Sequence, residues 1–490
     1  MDVTRERVLD TATWDGLLFD GTWREGAGTS AVVEPATGVE LGRVGLAAAD
    51  DVARSGAAAS AAQREWAETS YEERAAVLRR AGALWEEHAD ELREWLVREA
   101  GSLPPKADVE LHTAAQECYE AAGLASHALG EILPTASPRL SLARRVPAGV
   151  VAVIAPFNFP LILSIRSVAP ALALGNAVIL KPDPRTAVCG GVALARIFEL
   201  AGLPAGVLHV LPGGADVGEA LVADPHVRVI SFTGSTAAGR RVGAAAATHL
   251  KRAHLELGGN SALIVLDDAD LDLAVGAGAW GSWLHQGQIC MTTGRHLVAA
   301  SIAEEYVERL AAKAEQLPVG DPHTEQVALG PIIDERQRDK IHGLVTASVE
   351  GGARLAAGGS YEGLFYRPTV LADVDAGTPA YAQEVFGPVA PVAAFSSLEE
   401  AVALATDTEY GLSLGIITAD AMKGFELARR IPSGIVHVND QTVADEAVAP
   451  FGGVGASGTG SRFGGPAANI EAFTETQWMT LRGSVPAYPF

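Results

Sequence analysis

The chain has 490 residues, 48% hydrophobic and 20% charged, with a formal net charge of −23 and a pI near 4.9. This length gives room for roughly two to four domains with a sizeable core, and the ordinary apolar-to-charged balance excludes a largely disordered chain. So acidic a surface repels phosphate backbones and excludes nucleic acid as a partner; spread along the chain instead of gathered in a tail, the charge reads as solubility.

Residues 1–45 read as loops and short strands, with GTWREG and EPATGVELGRV as turn-rich pieces. The opening MDVTRERVLD lacks the apolar stretch of a signal peptide. Residues 49–130 are helical in pattern: apolar positions recur at three- and four-residue spacing through AAVLRRAGALWEEHADELREWLVREAG, and Gly101 reads as a helix stop. From 148 the pattern changes. GVVAVIAPF, AVILKP, GVLHVLPG and VRVISFTG are four short apolar runs, followed in turn by helices over 161–174 and 186–201, a shorter helix, and a helix from 236. Such alternation predicts a parallel sheet covered by helices on both faces. The uncharged stretch 146–165 is long enough to raise a membrane span, but Pro147, Pro156, Asn158 and Pro160 break it, and a strand–loop–helix fits instead. After LELGG the alternation restarts with SALIVLDDADLD as a strand and a helix over 271–286, and continues to about 438 as a second α/β unit. FTETQWMTLRG, near the end, reads as a strand.

Four local features carry chemistry. GQIC (287–290) sets Cys290 just past a helix, where a thiol can be lowered in pKa and meet substrate; a lone cysteine is otherwise a small buried hydrophobe. The other cysteines, Cys118 and Cys189, form neither a CxxC pair nor a zinc-spaced cluster with it, so no metal site is expected, and so sparse and odd a count points to a reducing, cytoplasmic setting. LELGGN (255–260) sets Glu256 in an apolar strand before a tight turn, which suits a general base of raised pKa or an ion pair with a cation such as Arg252. PFNFP (156–160) holds Asn158 between rigid neighbours, as an oxyanion donor or as a turn-former. FTGSTAAG (232–239) runs a strand into a helix through a glycine turn that can accept a phosphate, though Gly234 and Gly239 do not make the usual dinucleotide fingerprint.

In this order PFNFP, KP (181–182), FTGST, LELGG, GQIC, EVFGPV (384–389) and PFGG (450–453) resemble the motif set of the aldehyde dehydrogenase superfamily, over residues 20–480. KPDPRTAVCGG and NDQTVADEAVAPFGG are similar to benzaldehyde and related aromatic-aldehyde dehydrogenases. The resemblance implies oxidation of an aldehyde to the acid, with Cys290 as nucleophile, Asn158 and the Cys290 backbone N–H as oxyanion donors, and Glu256 as the base that hydrolyses a thioester. It implies NAD as cofactor, NADP being possible, held by Lys181 at the adenosine ribose, Gly234, Ser235 and Gly239 at the pyrophosphate, and Glu384 and Phe386 at the nicotinamide ribose and ring, with Pro156 and Phe157 lining the cleft.

Two positions depart from many relatives. Where a ribose-binding glutamate is common, three residues after Lys181, stands Pro184, with Asp183 one place off and Arg185 following. Eight residues after Asn158, where an aromatic residue is common, stands Arg166, fit to orient a polar ring substituent, to stack on a ring, or to close a salt bridge. By motif position Phe159, Leu163, Trp283, Ile289, Met291 and Phe451 are expected as the other substrate-wall residues, an apolar and partly aromatic slot for a flat ring; Trp280 is expected as helix core.

The expected fold is thus α/β. A Rossmann-like NAD(P)-binding domain takes 1–125 and 148–257, a second α/β catalytic domain 258–440, a small β oligomerisation arm 126–147 and 467–490, and a return segment 441–466. The resemblance implies a homodimer or homotetramer acting on a small-molecule aldehyde, with no membrane. The alternatives are an aliphatic or semialdehyde dehydrogenase with the same machinery, a CoA-acylating enzyme, against which Glu256 argues, and a non-catalytic protein retaining the fold, against which Cys290, Glu256 and Asn158 argue together.

Overall fold

The computed structural model describes residues 7–127 and 129–490. Two seven-stranded sheets organise it. In the first, Arg252–Glu256, Val227–Thr233, Val150–Ile154, Ala177–Lys181 and Leu208–Val210 lie side by side in parallel, and Leu17–Phe19 and Trp23–Glu25 extend the edge antiparallel. All five residues of Val150–Ile154 and of Ala177–Lys181 are buried, as continuous apolar runs require when helices cover both faces. The chain steps outward from Val150–Ile154 to Leu208–Val210, then returns to place Val227–Thr233 on the other side. The crevice at this reversal, beyond the C-terminal ends of the strands, is where such sheets bind ligands.

The second sheet runs Arg354–Ala357, Thr369–Ala372, Val389–Phe395, Thr293–Ala299, Ser261–Val265, Ser413–Ile417, Ile435–Val438, and only its first pairing is antiparallel. A third, antiparallel sheet joins Thr474–Leu481, Leu140–Pro147 and Gly130–Ile132. It stands clear of the body: Trp478, Leu481 and Ile132 are 64%, 65% and 77% exposed.

The helical stretch after residue 49 resolves into Ala49–Glu68, Tyr71–Glu87, Ala89–Ala100 and Pro104–Leu124, and Gly101 ends the third in the left-handed conformation expected of a helix stop. The helix expected over 186–201 is regular only from Ala193 to Leu200. Buried Glu99 takes the N–H groups of Val188 and Cys189, at 2.9 and 2.7 Å, and opens the first turn into a wider one. The tail expected as arm from 467 begins with a helix, Pro466–Phe473, and its strand starts at Thr474. Among the described residues no helix is long and apolar enough to cross a membrane.

Candidate active site

The ends of four parallel strands deliver the first half of the site. Val150–Ile154 leads to Pro156, Phe157 and Asn158; Ala177–Lys181 ends on Lys181; Val227–Thr233 leads to Gly234 and Ser235; Arg252–Glu256 ends on Glu256. They open on a cleft of 1140 Å³ that runs from Lys181 past Gly234 and Ser235 to Asn158, Glu384 and Cys290.

The cleft fits a dinucleotide. Ser235 caps the helix Thr236–Thr248, accepting from Ala238 N at 3.3 Å, and leaves a positive helix end at the turn. A Cβ on Gly234 would meet the Phe232 ring at 2.7 Å, so the turn stays bare for a close-lying phosphate. Among the described residues Lys181 Nζ has one hydrogen-bond partner, the Pro182 carbonyl at 3.4 Å. Phe157 and Phe386 meet edge to face at 5.9 Å, and Glu384 accepts from Gly259 N at 3.0 Å. Gly239 is a correction: it lies inside the helix, where a Cβ would strike Leu257 at 2.2 Å, so its smallness serves helix–strand packing and it does not line the cleft. Asp183, open as a ribose ligand, is taken by Arg185, whose N, Nε and Nη2 donate to it at 3.0, 2.9 and 2.8 Å. Arg185 also holds Asp334 at 2.7 Å and covers the Phe157 ring at 4.1 Å.

Cys290 arrives by a strained route. The helix Leu271–Trp283 ends in a turn in which His285, Gln286 and Gly287 all have positive φ, 48°, 56° and 66°. A non-glycine residue there costs about 1–2 kcal/mol. Only glycine fits at 287, since a Cβ would sit 2.1 Å from the Gly387 carbonyl. Gln286 Nε2 donates to the carbonyls of Gly101 (3.0 Å) and Pro331 (2.9 Å), and Gln288 Oε1 accepts from Ile333 N at 3.1 Å; these bonds offset the strain and fix the loop. Cys290 is half-buried, while Cys118 and Cys189 are fully buried. The expectation of a lowered thiol pKa is overturned. Burial, then the carboxylates of Glu384 and Glu256, pushes it up to about 12, against the pull of Arg166. The residue follows the C-terminal end of a helix, where the dipole is negative.

Glu256 is 3% exposed, and neither carboxylate oxygen has a partner. Arg252 does not pair with it; that guanidinium holds Glu475 at 2.8 Å and the carbonyls of Glu471, Ala472 and Thr474. Burial holds the Glu256 carboxyl well above the ordinary range, opposed by Arg166, Arg462 and the nearby Gly453 backbone N–H. Asn158 is 3% exposed, and no hydrogen bond ties its side-chain amide to another described residue. Among the described residues no three His, Cys, Asp or Glu side chains group as metal ligands.

Ile289, Met291, Leu412 and Phe451 form a small apolar cluster against Phe159, Val443 and Cys290, and Leu163 lines the cleft on the same side. Trp283 is not part of this wall. Its ring is 2% exposed in the core of the second α/β unit, with Leu263, Val265 and Tyr306, because the helix turns that face inward. The same turn leaves Trp280, expected in the core, 55% exposed. Of the three readings of Arg166 the salt bridge is present: it pairs with Asp445, and its guanidinium lies 4.6 Å over the protein's own Phe451 ring. Its Nε and Nη1, and Asp445 Oδ1, are buried without partners. Glu117, pushed up to about 7 chiefly by burial, is held down by Arg166. Asp445 lies within NDQTVADEAVAPFGG and Glu117 within the helix Pro104–Leu124, but nothing in either stretch marks the residue as a partner of Arg166, because the three are far apart in sequence.

A half-buried thiol and a free amide lining one dinucleotide-sized cleft, with a buried carboxylate at the end of an adjoining strand, match what is found among known proteins. The profile described as the Aldehyde dehydrogenase family matches residues 23–479. The chain is 74% identical to a vanillin dehydrogenase of Amycolatopsis sp., over 98% of this chain and 99% of that protein. It is 50% identical to a benzaldehyde dehydrogenase [NAD(+)] of Pseudomonas putida over 100% of both. A crystal structure of a salicylaldehyde dehydrogenase from Pseudomonas putida G7 complexed with salicylaldehyde superposes with a TM-score of 0.93 at 35% identity, covering 97% of this chain and 99% of that one. With a match this long in sequence and in shape, the chain belongs to the aldehyde dehydrogenase family.

Proposed function

We propose that this enzyme oxidises an aromatic aldehyde carrying a polar ring substituent, of the vanillin or hydroxybenzaldehyde type, to its carboxylic acid with NAD as cofactor. The observation that carries the substrate class is Arg166, a buried cation with two unpartnered N–H groups over the Phe451 ring, in the apolar, aromatic cluster that packs against Cys290. The names of the similar proteins, a vanillin, a benzaldehyde and a salicylaldehyde dehydrogenase, support the same class.

Cys290 Sγ, once deprotonated, attacks the aldehyde carbon and gives a tetrahedral thiohemiacetal. The Asn158 amide and the Cys290 backbone N–H hold its oxyanion; one such donor contributes about 3–4 kcal/mol. The tetrahedral alkoxide makes the carbon a hydride donor, which the planar aldehyde is not. NAD, when bound in the cleft, supplies the hydride acceptor. A thioester remains on Cys290, and Glu256, its pKa raised by burial, takes a proton from the water that releases the acid. Lys181, Gly234 and Ser235 would hold the adenosine and pyrophosphate ends of NAD, with Pro156 and Phe157 beside them, and Glu384 and Phe386 the nicotinamide end.

The cofactor-binding domain takes 1–125 and 148–257, the catalytic domain 258–440, the return segment 441–466, and the arm 126–147 with the C-terminal strand. Apolar residues exposed on that arm support a homodimer or homotetramer built through it, and three cysteines, all free, support a cytoplasmic site of action. NADH formation with vanillin, 4-hydroxybenzaldehyde, benzaldehyde, acetaldehyde and succinate semialdehyde tests the substrate class. A higher kcat/KM for the ring-substituted aldehydes supports it; equal or better turnover of the aliphatic ones refutes it.

A further inference from the structure

Behind the oxyanion loop lies a buried ion pair that the chemistry above does not use. Lys106 and Glu110, one turn apart on the helix Pro104–Leu124, are 4% and 0% exposed and pair with each other. Lys106 Nζ donates to the Asn158 carbonyl at 2.8 Å and to Ser102 Oγ at 3.1 Å. Glu110 Oε2 accepts from Leu161 N at 3.1 Å and Ile162 N at 3.4 Å.

These contacts fall on both sides of one weak point. The helix Pro160–Ala173 begins directly after the loop, with Phe159 at its cap position and no capping side chain of its own. Its first N–H groups need an acceptor, and Glu110 supplies it from another helix. On the near side, the Asn158 carbonyl belongs to no helix or strand, and the ammonium holds it. Fixing that carbonyl fixes the peptide plane that leaves Asn158, and so the direction in which its amide points. The ammonium also lies 4.2 Å from the Phe159 ring centroid, and His285, from the strained turn before Cys290, packs edge-on against that ring at 5.5 Å.

We infer that Lys106, anchored by Glu110, is the positioning residue for the oxyanion amide: it sets the Asn158 backbone so that the side-chain N–H meets the developing charge on the aldehyde oxygen. The inference rests on Asn158 being the oxyanion donor. A buried pair of this kind adds little to stability compared with apolar residues of the same size, and here each member spends its remaining hydrogen-bonding capacity on the loop that presents Asn158.

A double-mutant cycle tests it. Lys106→Met with Glu110→Gln removes both charges and keeps the volume, and it leaves an acceptor for the Leu161 N–H but no donor for the Asn158 carbonyl. The readouts are the pre-steady-state NADH burst rate, its isotope effect with aldehyde deuterated at the carbonyl carbon, and NAD affinity from tryptophan fluorescence. The expected result is a burst slowed on the order of 10- to 100-fold, with a larger isotope effect and unchanged NAD affinity. In an Asn158→Ala background the same pair should cost less than about 3-fold, because the group it positions is gone. An equal loss in both backgrounds, or no loss in the parent, overturns the inference. An Asn158→Ala burst as fast as the parent's removes the oxyanion assignment and the positioning role with it. Should the paired variant not fold, Lys106→Arg, which keeps the charge but cannot place a single compact ammonium on all three acceptors, goes through the same cycle with the same criteria.

Discussion

Replacing Arg166 should change which rings the enzyme prefers more than whether it works. The guanidinium uses Nη2 on Asp445 and leaves Nε and Nη1 buried and unpaired. A substrate oxygen that accepts from either gains a charge-assisted hydrogen bond of about 1.5–3 kcal/mol. At about 1.4 kcal/mol per decade, that is roughly 10- to 150-fold in kcat/KM for a ring that presents such an oxygen over one that does not. Arg166 also pulls down the pKa of Cys290 and of Glu256, so its loss slows every substrate. That common factor cancels in a ratio. The measurement is therefore kcat/KM for 4-hydroxybenzaldehyde and vanillin divided by that for benzaldehyde, in the parent and in Arg166→Met with Asp445→Asn, the second change sparing the site an unpaired carboxylate. The ratio should fall by at least about 10-fold. A ratio that holds while both rates drop would refute the recognition role and leave Arg166 as a counter-charge for the thiolate.

Other outcomes follow from the same geometry. Cys290→Ala should abolish NADH formation with every aldehyde. Glu256→Gln should leave a stoichiometric NADH burst followed by slow turnover; loss of the burst itself would move Glu256 to thiol activation. The Glu256 carboxyl is raised in the folded chain, so the folded state holds its proton longer than the unfolded one, and the stability this confers is complete below the ordinary glutamate pKa and lost as pH climbs toward the folded value. Glu256→Gln should accordingly melt higher than the parent at pH 9 and at the same temperature near pH 4, and a pH-independent difference would contradict a buried, unpaired carboxyl. Glu384 is the largest charge raising the Cys290 pKa, so Glu384→Gln should speed iodoacetamide alkylation of Cys290 at pH 8; an unchanged rate would remove Glu384 from the thiol's surroundings. Asp183→Ala should free Arg185 from its double hold and lower the KM for NADP by several-fold on the scale of one charge-assisted bond, and an unaltered NADP-to-NAD ratio would show that Arg185 stays on Asp334.

The nucleophile, the base and the dinucleotide turn were legible because each is a short linear motif at a strand or helix end, where neighbours in sequence are neighbours in space. Cys290, Glu256 and Gly234 needed only that. Trp283 and Trp280 differ from expectation because they lie only about 60° apart around the helix, so a small rotation exchanges which of them is buried, and the apolar pattern of GAGAWGSWL is too even to set that rotation. Gly239 failed for a related reason: a glycine near a phosphate turn and a glycine that lets a helix touch a strand look alike in sequence. The rise of the thiol's pKa is not legible in GQIC because it comes first from burial in the folded chain and then from Glu384 and Glu256, residues far from it in sequence.

What stayed hidden has one physical origin. Arg166 stands on the helix after the oxyanion loop, Asp445 on a segment 279 residues later, and Glu117 on another helix of the first unit; their partnership exists only once the return segment 441–466 lies against the first unit. The machinery common to aldehyde oxidation lies on strand ends and is written locally. The charges proposed to choose the ring lie where the return segment meets the first unit, and no helix or strand period links their positions in sequence. Arg166 points its polar end at Asp445 while its stem packs among the buried positions of its own helix, away from the strand ends that carry Asn158 and Glu256. Substrate choice can therefore be altered there by one or two substitutions while Cys290, Asn158 and Glu256 keep their places.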